Sequence, residues 1–397
     1  MRILLLTSFD LFPPVHGGSS VAYNFIKHAA KRHDVSALIS HLYSLGGDVD
    51  LTSDNVHISY YRPSLFDHLR VLSFLVNPHY YRAAERLCRE SQPDVIQCET
   101  LWPVLAGWYL RRRYDVPLVC VEYNVEGDKF AELGRPWPIV FVVRAIERLA
   151  WQHADAVITV SETDREQLVE RDGAPTERIH TIRPSPDLSD FHFDEQSRAA
   201  VRARYGLAKD QPMLTFVGNL KYEPNQQAVR HIVGYVYPAV MEEHPDAQFV
   251  IIGQGAELLT ECRREHIIFT SYLSRQDLVA HLCATDIFLV PVETGSGIRV
   301  KIPEATACAR AVVATEKAAK GLELFQDDEI VRVETVDEGF VAAVLRLIED
   351  PALRTGIGAR AQARTMKEFG WEKTLAAYEE VYAGIGAFGS KVGHRQP

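Results

Sequence analysis

Apolar residues in this chain form short continuous runs, separated by longer stretches in which they recur every three or four positions. Continuous runs of this length predict strands buried on both faces, as a parallel sheet requires. The helical spacing between them predicts a chain that alternates strand and helix. In the first half the predicted strands are Ile3–Leu6, Val35–Ile39, Val56–Tyr60, Val95–Cys98, Leu118–Val121 and Ala156–Val160, and the predicted helices start near Ser19 or span Ile139–His153 and Glu162–Arg171.

The same alternation restarts in the second half after a polar, unpatterned stretch that follows Pro184-Ser185-Pro186. The predicted strands there are Met213–Val217, Gln248–Ile252, Ile267–Thr270, Asp286–Val290 and Ala311–Ala314, with a helix beginning near Pro224. We therefore predict an α/β protein of two Rossmann-like domains, 1–195 and 196–372. In the remaining segment, 373–397, a helix over Lys373–Ala383 is predicted to cross back onto the first domain.

Net charge and composition limit which partners, cofactors and cellular locations the sequence predicts. The 397 residues carry a formal net charge of −10, which argues against nucleic acid or an anionic bilayer as the main partner, because both need a positive field. The six cysteines are scattered without metal-ligand spacing, so we expect reduced thiols and no metal requirement. No signal peptide or membrane-spanning run is evident, which predicts a cytoplasmic protein.

The segment Pro291–Ala307 carries the strongest chemical signal. Gly295 and Gly297 allow backbone amides to approach a ligand closely, and a predicted helix start follows them. Arg299 and Lys301 add positive charge, so the segment could hold a diphosphate, while Glu304 could accept hydrogen bonds from sugar hydroxyls. The alternative is a glycine turn before an amphipathic helix whose charged residues are merely solvated.

Several segments, in their order along the chain, resemble the family-four retaining glycosyltransferases of GT-B fold (glycosyl transferases group 1). The resembling segments are Pro14-Val-His-Gly17-Gly18, Ala154-Asp-Ala-Val-Ile-Thr-Val-Ser161, Phe216-Val-Gly218-Asn219-Leu220, Ile252-Gly253-Gln254-Gly255, Asp286-Ile-Phe-Leu-Val-Pro291 and the glycine-rich loop that leads through Glu304 to Ala311-Val-Val-Ala-Thr315. The resemblance covers nearly the whole chain. It implies a GT-B fold of two facing domains, in which the C-terminal domain holds a nucleotide-sugar donor and the N-terminal domain the acceptor.

The resemblance also implies roles for individual residues. Glu304 matches a glutamate that grips the nucleotide ribose, and the glycine loop at Gly17 lies near the donor phosphates and sugar. For the loops that border the base and ribose, a purely structural turn remains open as an alternative. The implied donor-binding residues are Gly17, Gly18, Gly218, Asn219, Gly253, Gly255, Ser271, Tyr272, Ser296, Gly297, Ile298 and Glu304, and the catalytic candidates are Arg299, Lys301 and Tyr123.

Three departures from the family pattern qualify these roles. Ser296 replaces the first of two motif glutamates, and the family's cationic phosphate pair falls at or near Asn219 and Asn225. Because amides cannot neutralise a diphosphate, we expect Arg299 and Lys301 to have taken over that role. Tyr123 stands where a donor-site histidine is usual; it could hydrogen-bond a sugar but is a poor acid or base near neutrality.

The reaction expected from the resemblance is transfer of a hexose-type sugar with retention of configuration, without a metal or other cofactor. The acceptor is open between a polysaccharide, a glycolipid and a small metabolite. The alternatives are a GT-B epimerase or phosphorylase, a non-catalytic sugar-nucleotide binding protein, and a dehydrogenase, which the absence of Gly-x-Gly-x-x-Gly after the first strand opposes. The apolar stretch 65–81 predicts either peripheral membrane contact or a core helix cut by Pro78.

Overall fold

The computed structural model describes residues 1–12, 14, 17–40, 51, 53–62, 64–171, 173–295 and 299–386. Up to residue 184 the strands are β1 (Arg2–Thr7), β2 (Asp34–Ile39), β3 (Val56–Tyr60), β4 (Val95–Glu99), β5 (Leu118–Glu122), β6 (Ala156–Thr159) and β7 (Ile179–Thr181). The helices of this part are α1 (Gly17–Ala29), α2 (Ser73–Val76), α3 (Pro78–Ser91), α4 (Val104–Tyr114), α5 (Glu126–Glu132), α6 (Trp137–His153) and α7 (Glu162–Glu166). Short 3₁₀ segments cover Leu65–Leu72 and Thr176–Arg178, and a π-helical turn covers Gln167–Arg171.

From residue 185 onward the strands are β8 (Met213–Val217), β9 (Gln248–Ile252), β10 (Ile267–Thr270), β11 (Ile287–Val290), β12 (Ala311–Thr315) and β13 (Val331–Val333). The helices are α8 (Glu195–Arg204), α9 (Glu223–His231), α10 (Tyr237–Glu243), α11 (Arg275–Ala284), α12 (Lys301–Ala307), α13 (Glu316–Ala319), α14 (Glu338–Glu349), α15 (Pro351–Glu368) and α16 (Trp371–Gly384). A π-helical turn, Ile232–Val236, joins α9 to α10, and 3₁₀ turns cover Ala256–Leu258 and Thr260–Cys262.

The chain divides into two compact units. Unit 1 contains Met1–Pro184 together with α16, and unit 2 is Ser185–Gly370. Among the described residues, unit 1 has a parallel sheet in the order β3-β2-β1-β4-β5-β6-β7, and unit 2 has one in the order β10-β9-β8-β11-β12-β13. The predicted α/β fold with two Rossmann-like sheets is confirmed. The boundary between the units falls at Ser185, about ten residues before the predicted one.

Burial explains why these segments form strands. The side chains of Ile3, Leu4, Leu5 and Leu6 in β1 are all buried, so both faces of this strand are covered. Each of the strands that the apolar runs predict is present. The edge strands β7 and β13 were not predicted, because three-residue strands are too short to leave a pattern.

The C-terminal helix α16 packs within unit 1 against α1. The rings of Phe25 and Tyr378 lie 4.9 Å apart, and the Nε2 atom of His33 lies 2.7 Å from an oxygen of Glu379. The hydroxyl group of Tyr382 donates to the side-chain oxygen of Gln97 on β4. A sequence-remote helix thus completes the core of unit 1.

The stretch 65–81 does not form one helix. Asn77 caps α3 by accepting from the backbone N–H of His79, and Pro78 occupies the first turn, where it needs no N–H partner. Pro78 therefore starts a helix and does not interrupt one. Phe74 and Tyr80 are buried.

Candidate functional site

The strand order places the predicted glycine-rich loop beside the loop that follows β8. In unit 2 the chain runs outward from β8 through β9 to β10 on one side, and from β11 through β12 to β13 on the other. Such a reversal between neighbouring strands, here β8 and β11, opens a crevice at the carboxyl ends of the strands. Residues 218–222 follow the first of these strands, and the described residues 291–295 and 299–300 follow the second, so both groups lie at this edge of the sheet.

Lys301 provides a desolvated positive charge at that crevice. Its Nζ atom donates to the side-chain oxygen of Asn225 at 3.2 Å and lies 4.5 Å from the centre of the Phe216 ring. In the described part of the chain, no carboxylate lies within 4.0 Å of this ammonium. Desolvation, helped by the positive charge of Arg299, lowers the pKa of Lys301 to about 7. An anion bound here would restore the charged form.

Asn225 fixes the position of this lysine. Its Nδ2 donates to the backbone carbonyl of Asn219 at 2.9 Å, which leaves Oδ1 to accept from Lys301. A Cβ atom on Gly218 would lie 2.8 Å from the carboxamide carbon of Asn225, so glycine at that position makes room for the amide. Gly218 and Asn219 therefore hold Asn225 in place, and Asn225 in turn positions Lys301.

Glu304 lies one helical turn after Lys301 on α12, so both side chains project from the same side of the helix. In the described residues its carboxylate has no hydrogen-bond partner. Burial raises the pKa of Glu304 to about 7, although the positive charges of Arg275 and Lys301 oppose the rise. A half-buried carboxylate in this state can accept hydrogen bonds from hydroxyl groups.

Arg299 stabilises the loop itself. Its guanidinium donates to the carbonyl oxygens of Thr294 at 3.1 Å and Gly295 at 2.9 Å. Gly295 has a φ of 83°, and a Cβ atom there would lie 2.8 Å from the Tyr222 hydroxyl oxygen. Three predicted donor-binding residues of this loop, Ser296, Gly297 and Ile298, lie outside the described residues.

The start of α12 offers fewer unpaired amides than the sequence suggested. The N–H of Ile302 donates to the carbonyl of Arg299 at 2.9 Å, and the N–H of Glu304 donates to that of Val300 at 3.1 Å. The first of these bonds closes a tight turn at the start of the helix, the second is an ordinary helical bond, and Pro303 has no N–H. Side chains are therefore important among the described groups around α12 that could bind an anion.

Gly253 and Gly255 pack the loop after β9 against the loop after β8. At Gly253, where φ is 149°, a Cβ atom would lie 1.8 Å from the carbonyl oxygen of Gly218. At Gly255, where φ is 97°, it would lie 2.9 Å from the backbone of Leu220 and Lys221. Both glycines are therefore required by contacts within the chain. A purely structural turn, the alternative to direct contact with the ligand, is sufficient to explain them.

The loop after β10 carries the predicted residues Ser271 and Tyr272, and both side chains are exposed. The hydroxyl group of Thr270 donates to the carbonyl of Ser271 at 3.0 Å. Because β10 is an edge strand, this loop lies two strands away from β8 at the carboxyl edge. The residues can be reached from solvent.

In unit 1, Gly17 and Gly18 begin helix α1 after the loop that follows β1. The sheet reverses between β1 and β4, and the hydroxyl groups of Ser8 and Thr100 in the two following loops lie 2.9 Å apart. A Cβ atom on Gly17 would have no heavy atom within 4 Å among the described residues. Unlike Gly253, Gly17 therefore has open space beside it, as a ligand-facing position requires.

Tyr123 belongs to a buried hydrogen-bond network within unit 1. Its hydroxyl donates to the carboxylate of Glu99, which also accepts from the side chain of Gln97 at 2.5 Å. Desolvation raises the pKa of Glu99 to about 7, and burial beside Glu99 raises the pKa of Tyr123 well above its usual value. The predicted catalytic tyrosine thus already holds an internal partner. The sequence analysis overlooked Glu99, whose signal is a carboxylate that ends an apolar strand.

A second group of carboxylates surrounds the end of β5. Glu122 is buried, and neither of its oxygens has a hydrogen-bond partner within the described residues. Burial and the nearby charge of Glu147 raise the pKa of Glu122 well above its usual value. Glu147 accepts from the N–H of Gly127 at 3.0 Å, and Glu126 pairs with Lys129 at 3.0 Å. Burial therefore favours the neutral form of Glu122.

Comparisons with known proteins identify the family. Residues 15–190 match the family model described as Glycosyltransferase Family 4, and residues 211–350 match that described as Glycosyl transferases group 1. The chain belongs to the GT-B glycosyltransferases. It is 28% identical over 330 residues to a D-inositol 3-phosphate glycosyltransferase from Kineococcus radiotolerans, a match that covers 75% of this chain and 73% of the relative.

Solved structures agree with this assignment at the level of the fold. This glycosyltransferase superposes with a TM-score of 0.82 on a sucrose-phosphate synthase from Thermosynechococcus elongatus, at 18% identity over 98% of this chain and 100% of the other. It superposes with a TM-score of 0.74 on HepE from Anabaena in complex with UDP and glucose, at 16% identity over 97% and 99% of the two chains. The expectation of a glycosyltransferase is confirmed.

Two further properties of this glycosyltransferase bear on cofactors and membranes. One group of potential metal ligands occurs among the described residues, where ligand atoms of Glu243, His244 and Glu349 lie within 4.8 Å of one another. This group lies at the ends of α10 and α14, and His244 precedes β9, so it is at the amino edge of the sheet, away from Lys301. No described helix is both long and apolar enough to cross a bilayer.

Proposed function

We propose that this glycosyltransferase transfers a hexose-type sugar from a nucleoside-diphosphate sugar to an acceptor with retention of configuration. The observation that carries the proposal is Lys301, a desolvated amine that a neutral amide positions and that no described carboxylate approaches within 4.0 Å. A charge left in this state favours an anionic ligand. HepE, a structural neighbour, has been solved with UDP-glucose, which is a donor of the proposed class.

The proposed chemistry assigns one task to each group. The bond between the sugar's anomeric carbon and the diphosphate oxygen breaks, and a bond to an acceptor oxygen forms on the same face. The diphosphate leaves with the bonding electrons and takes up the proton that the acceptor loses. Lys301 and Arg299 stabilise the negative charge that builds on the diphosphate, and Glu304 accepts hydrogen bonds from the ribose hydroxyls. The cationic side chains perform this task in place of a metal ion.

We propose that the two domains bind different substrates. We assign donor binding to the C-terminal domain predicted as 196–372 and acceptor binding to the N-terminal domain predicted as 1–195. Gly17 and Gly18 are proposed to approach the donor, because the space beside Gly17 is open. Direct contact with the base or ribose is proposed for Ser271 and Tyr272, which are exposed.

The donor assignment is tested by thermal unfolding with UDP, GDP, ADP and dTDP. A nucleotide at a hundredfold excess over its dissociation constant stabilises the folded protein by about 2.7 kcal/mol, so the preferred base should raise the melting temperature clearly. Lys301→Met should remove most of this shift. Lys209→Met, which changes an exposed lysine of unit 2, should retain it. If no nucleotide stabilises the wild-type chain, the proposal is wrong.

Turnover is tested by proton NMR of the matching nucleotide sugar. With an α-linked donor, the first sugar released or transferred should be the α-anomer if configuration is retained, and the β-anomer would contradict retention. Conversion of the donor into an epimer without an acceptor would indicate an epimerase. Tight binding without turnover over a broad panel of acceptors would favour a sugar-nucleotide binding protein.

A further inference from the structure

The outer surface of one helical layer in unit 1 concentrates exposed apolar side chains. Of the fifteen large hydrophobic side chains that are exposed among the described residues, ten lie on the segment 65–76, on α4 or on α6. They are Leu65, Phe66, Leu69, Val76, Tyr109, Trp137, Ile139, Phe141, Val142 and Leu149. Soluble monomers rarely expose apolar groups in such a concentration without a binding role.

The first turns of α6 form the centre of this surface. Residues 137–143 read Trp-Pro-Ile-Val-Phe-Val-Val without a charge. Val140 and Val143 face the core, while Trp137 is 78% exposed and Phe141 is 66% exposed. A helix that is apolar on all sides is normally buried. The outward-facing apolar side chains of these turns are therefore exposed where their composition predicts burial.

Positive charge flanks the apolar side chains. Arg148 and Arg144 lie one turn apart along one edge of the outward side of α6, and Arg135 precedes the helix; all three are exposed, and Arg144 pairs with Asp128 at 3.1 Å. The single carboxylate of α6, Glu147, is buried. Although the whole chain has a net charge of −10, the exposed ionisable groups of this helix are therefore cationic. Arginine beside exposed tryptophan and phenylalanine is the composition of helices that lie in a bilayer interface.

The topology brings the two apolar groups to the same edge of unit 1. The segment 65–76 follows the end of β3, and α6 begins after the end of β5, so both lie where the parallel strands end. The helices α3, α4 and α6 pack side by side on one face of the sheet. In open α/β sheets the carboxyl edge is also where substrates bind.

We propose that this surface, centred on Trp137 and Phe141 and including the exposed residues of 65–76, docks on an anionic lipid bilayer. The apolar side chains enter the headgroup region, and Arg135 and Arg148 contact anionic lipids. The inference does not depend on the assignment of the donor.

The test is flotation of the full-length protein with vesicles of phosphatidylcholine, alone or with about 30% phosphatidylglycerol, at low and high salt. Wild-type protein should bind the anionic vesicles, and less so at high salt. The double variant Trp137→Ser/Phe141→Ser should bind at least tenfold more weakly. Arg135→Glu/Arg148→Glu should lose about 25-fold or more, since each arginine contributes roughly fivefold.

Met366→Ser is the matched control. Met366 is 53% exposed but lies in unit 2, so this variant should bind vesicles like the wild-type protein. Circular dichroism and thermal unfolding check that each variant is folded. Quenching of tryptophan by brominated lipids adds a local readout. Trp102, Trp151 and Trp371 are buried and Trp108 on α4 is half-buried, so loss of quenching in a Trp137→Phe variant would assign the signal to Trp137.

Three outcomes would overturn the proposal. The first is no binding to anionic vesicles at low salt. The second is binding that the Trp137→Ser/Phe141→Ser variant retains in full. The third is a concentration-dependent dimer in light scattering that this variant abolishes while vesicles are not bound; this would assign the surface to self-association.

Discussion

Nucleotide binding to this glycosyltransferase should be coupled to protonation of Lys301. In the unliganded chain the pKa of Lys301 is lowered to about 7 by desolvation. At about pH 8 only about one tenth of such lysines carry a proton. A diphosphate beside the amine would raise this pKa toward the ordinary value near 10.4, because an adjacent negative charge favours the charged form. Binding at about pH 8 should then take up about 0.9 proton per nucleotide.

Other groups contribute little at this pH. Glu304, whose pKa is about 7, is already mostly ionised and can release only about 0.1 proton when hydroxyl groups bind to it. The phosphates of the nucleotide, with a second pKa near 6, are fully ionised. The apparent affinity should therefore fall by up to about tenfold per pH unit between about pH 7 and pH 9. The nucleotide-induced rise in melting temperature should shrink over the same range.

In the unliganded protein, the contribution of Lys301 to the free energy of unfolding should rise with pH, whereas nucleotide affinity falls with pH. The unfolded chain holds the Lys301 proton up to about pH 10, whereas the folded chain releases it near pH 7, so the unfolded state binds more protons in between. The contribution of Lys301 to stability therefore rises with pH across this window and is lost as the pH falls toward 7.

Calorimetry measures the coupling directly. Titration of UDP or GDP, whichever stabilises the chain, in two buffers of different ionisation enthalpy gives the number of protons taken up. Lys301→Met should abolish the uptake and weaken binding, and Lys209→Met should change neither. An uptake below about 0.3 proton in the wild-type chain, or the same uptake in Lys301→Met, would refute the reasoning.

Three further predictions follow from individual contacts. Gly253→Ala should lower the free energy of unfolding by at least about 3 kcal/mol in urea denaturation, because the methyl group meets a backbone oxygen at a strained φ; Gly234→Ala, where a Cβ meets no described atom, should not. Tyr123→Phe should lower the free energy of unfolding by about 1–3 kcal/mol. The loss should be larger above the Glu99 pKa of about 7 than below it, because the ionised carboxylate then lacks one hydrogen-bond donor; an equal loss at both pH values would contradict this. Asn225→Ala should weaken nucleotide affinity about fivefold by calorimetry, and unchanged affinity would exclude its positioning role.

Local pattern was sufficient to predict the sheets and the helix that carries Lys301 and Glu304. Buried parallel strands are continuous apolar runs, so each long strand is visible in the sequence. The helix predicted after the glycine loop is also present, with Lys301 at its start and Glu304 within it. In both cases the deciding contacts are between near neighbours along the chain.

Contacts between distant segments left no such pattern. The carbonyl that requires glycine at Gly253 belongs to Gly218, and the partner of Tyr123 is Glu99, 24 residues earlier. The apolar run that begins at Trp137 also has the composition of a core helix. Its exposure follows from which neighbours the fold provides, and one sequence alone does not contain that information.

The asparagines that depart from the family pattern can now be understood together with Lys301. In the resembling family the positive charge for the diphosphate follows the first strand of the C-terminal domain, on the β8 side of the crevice. Here Asn225 stands on that side, and its amide oxygen points the lysine of the β11 side toward the same crevice. Because β8 and β11 are neighbours, one ammonium can serve a ligand at this point from either strand. In the role proposed above, Lys301 would supply the charge from a different strand at the same switch point, so loss of the usual cations does not by itself argue for an inactive protein.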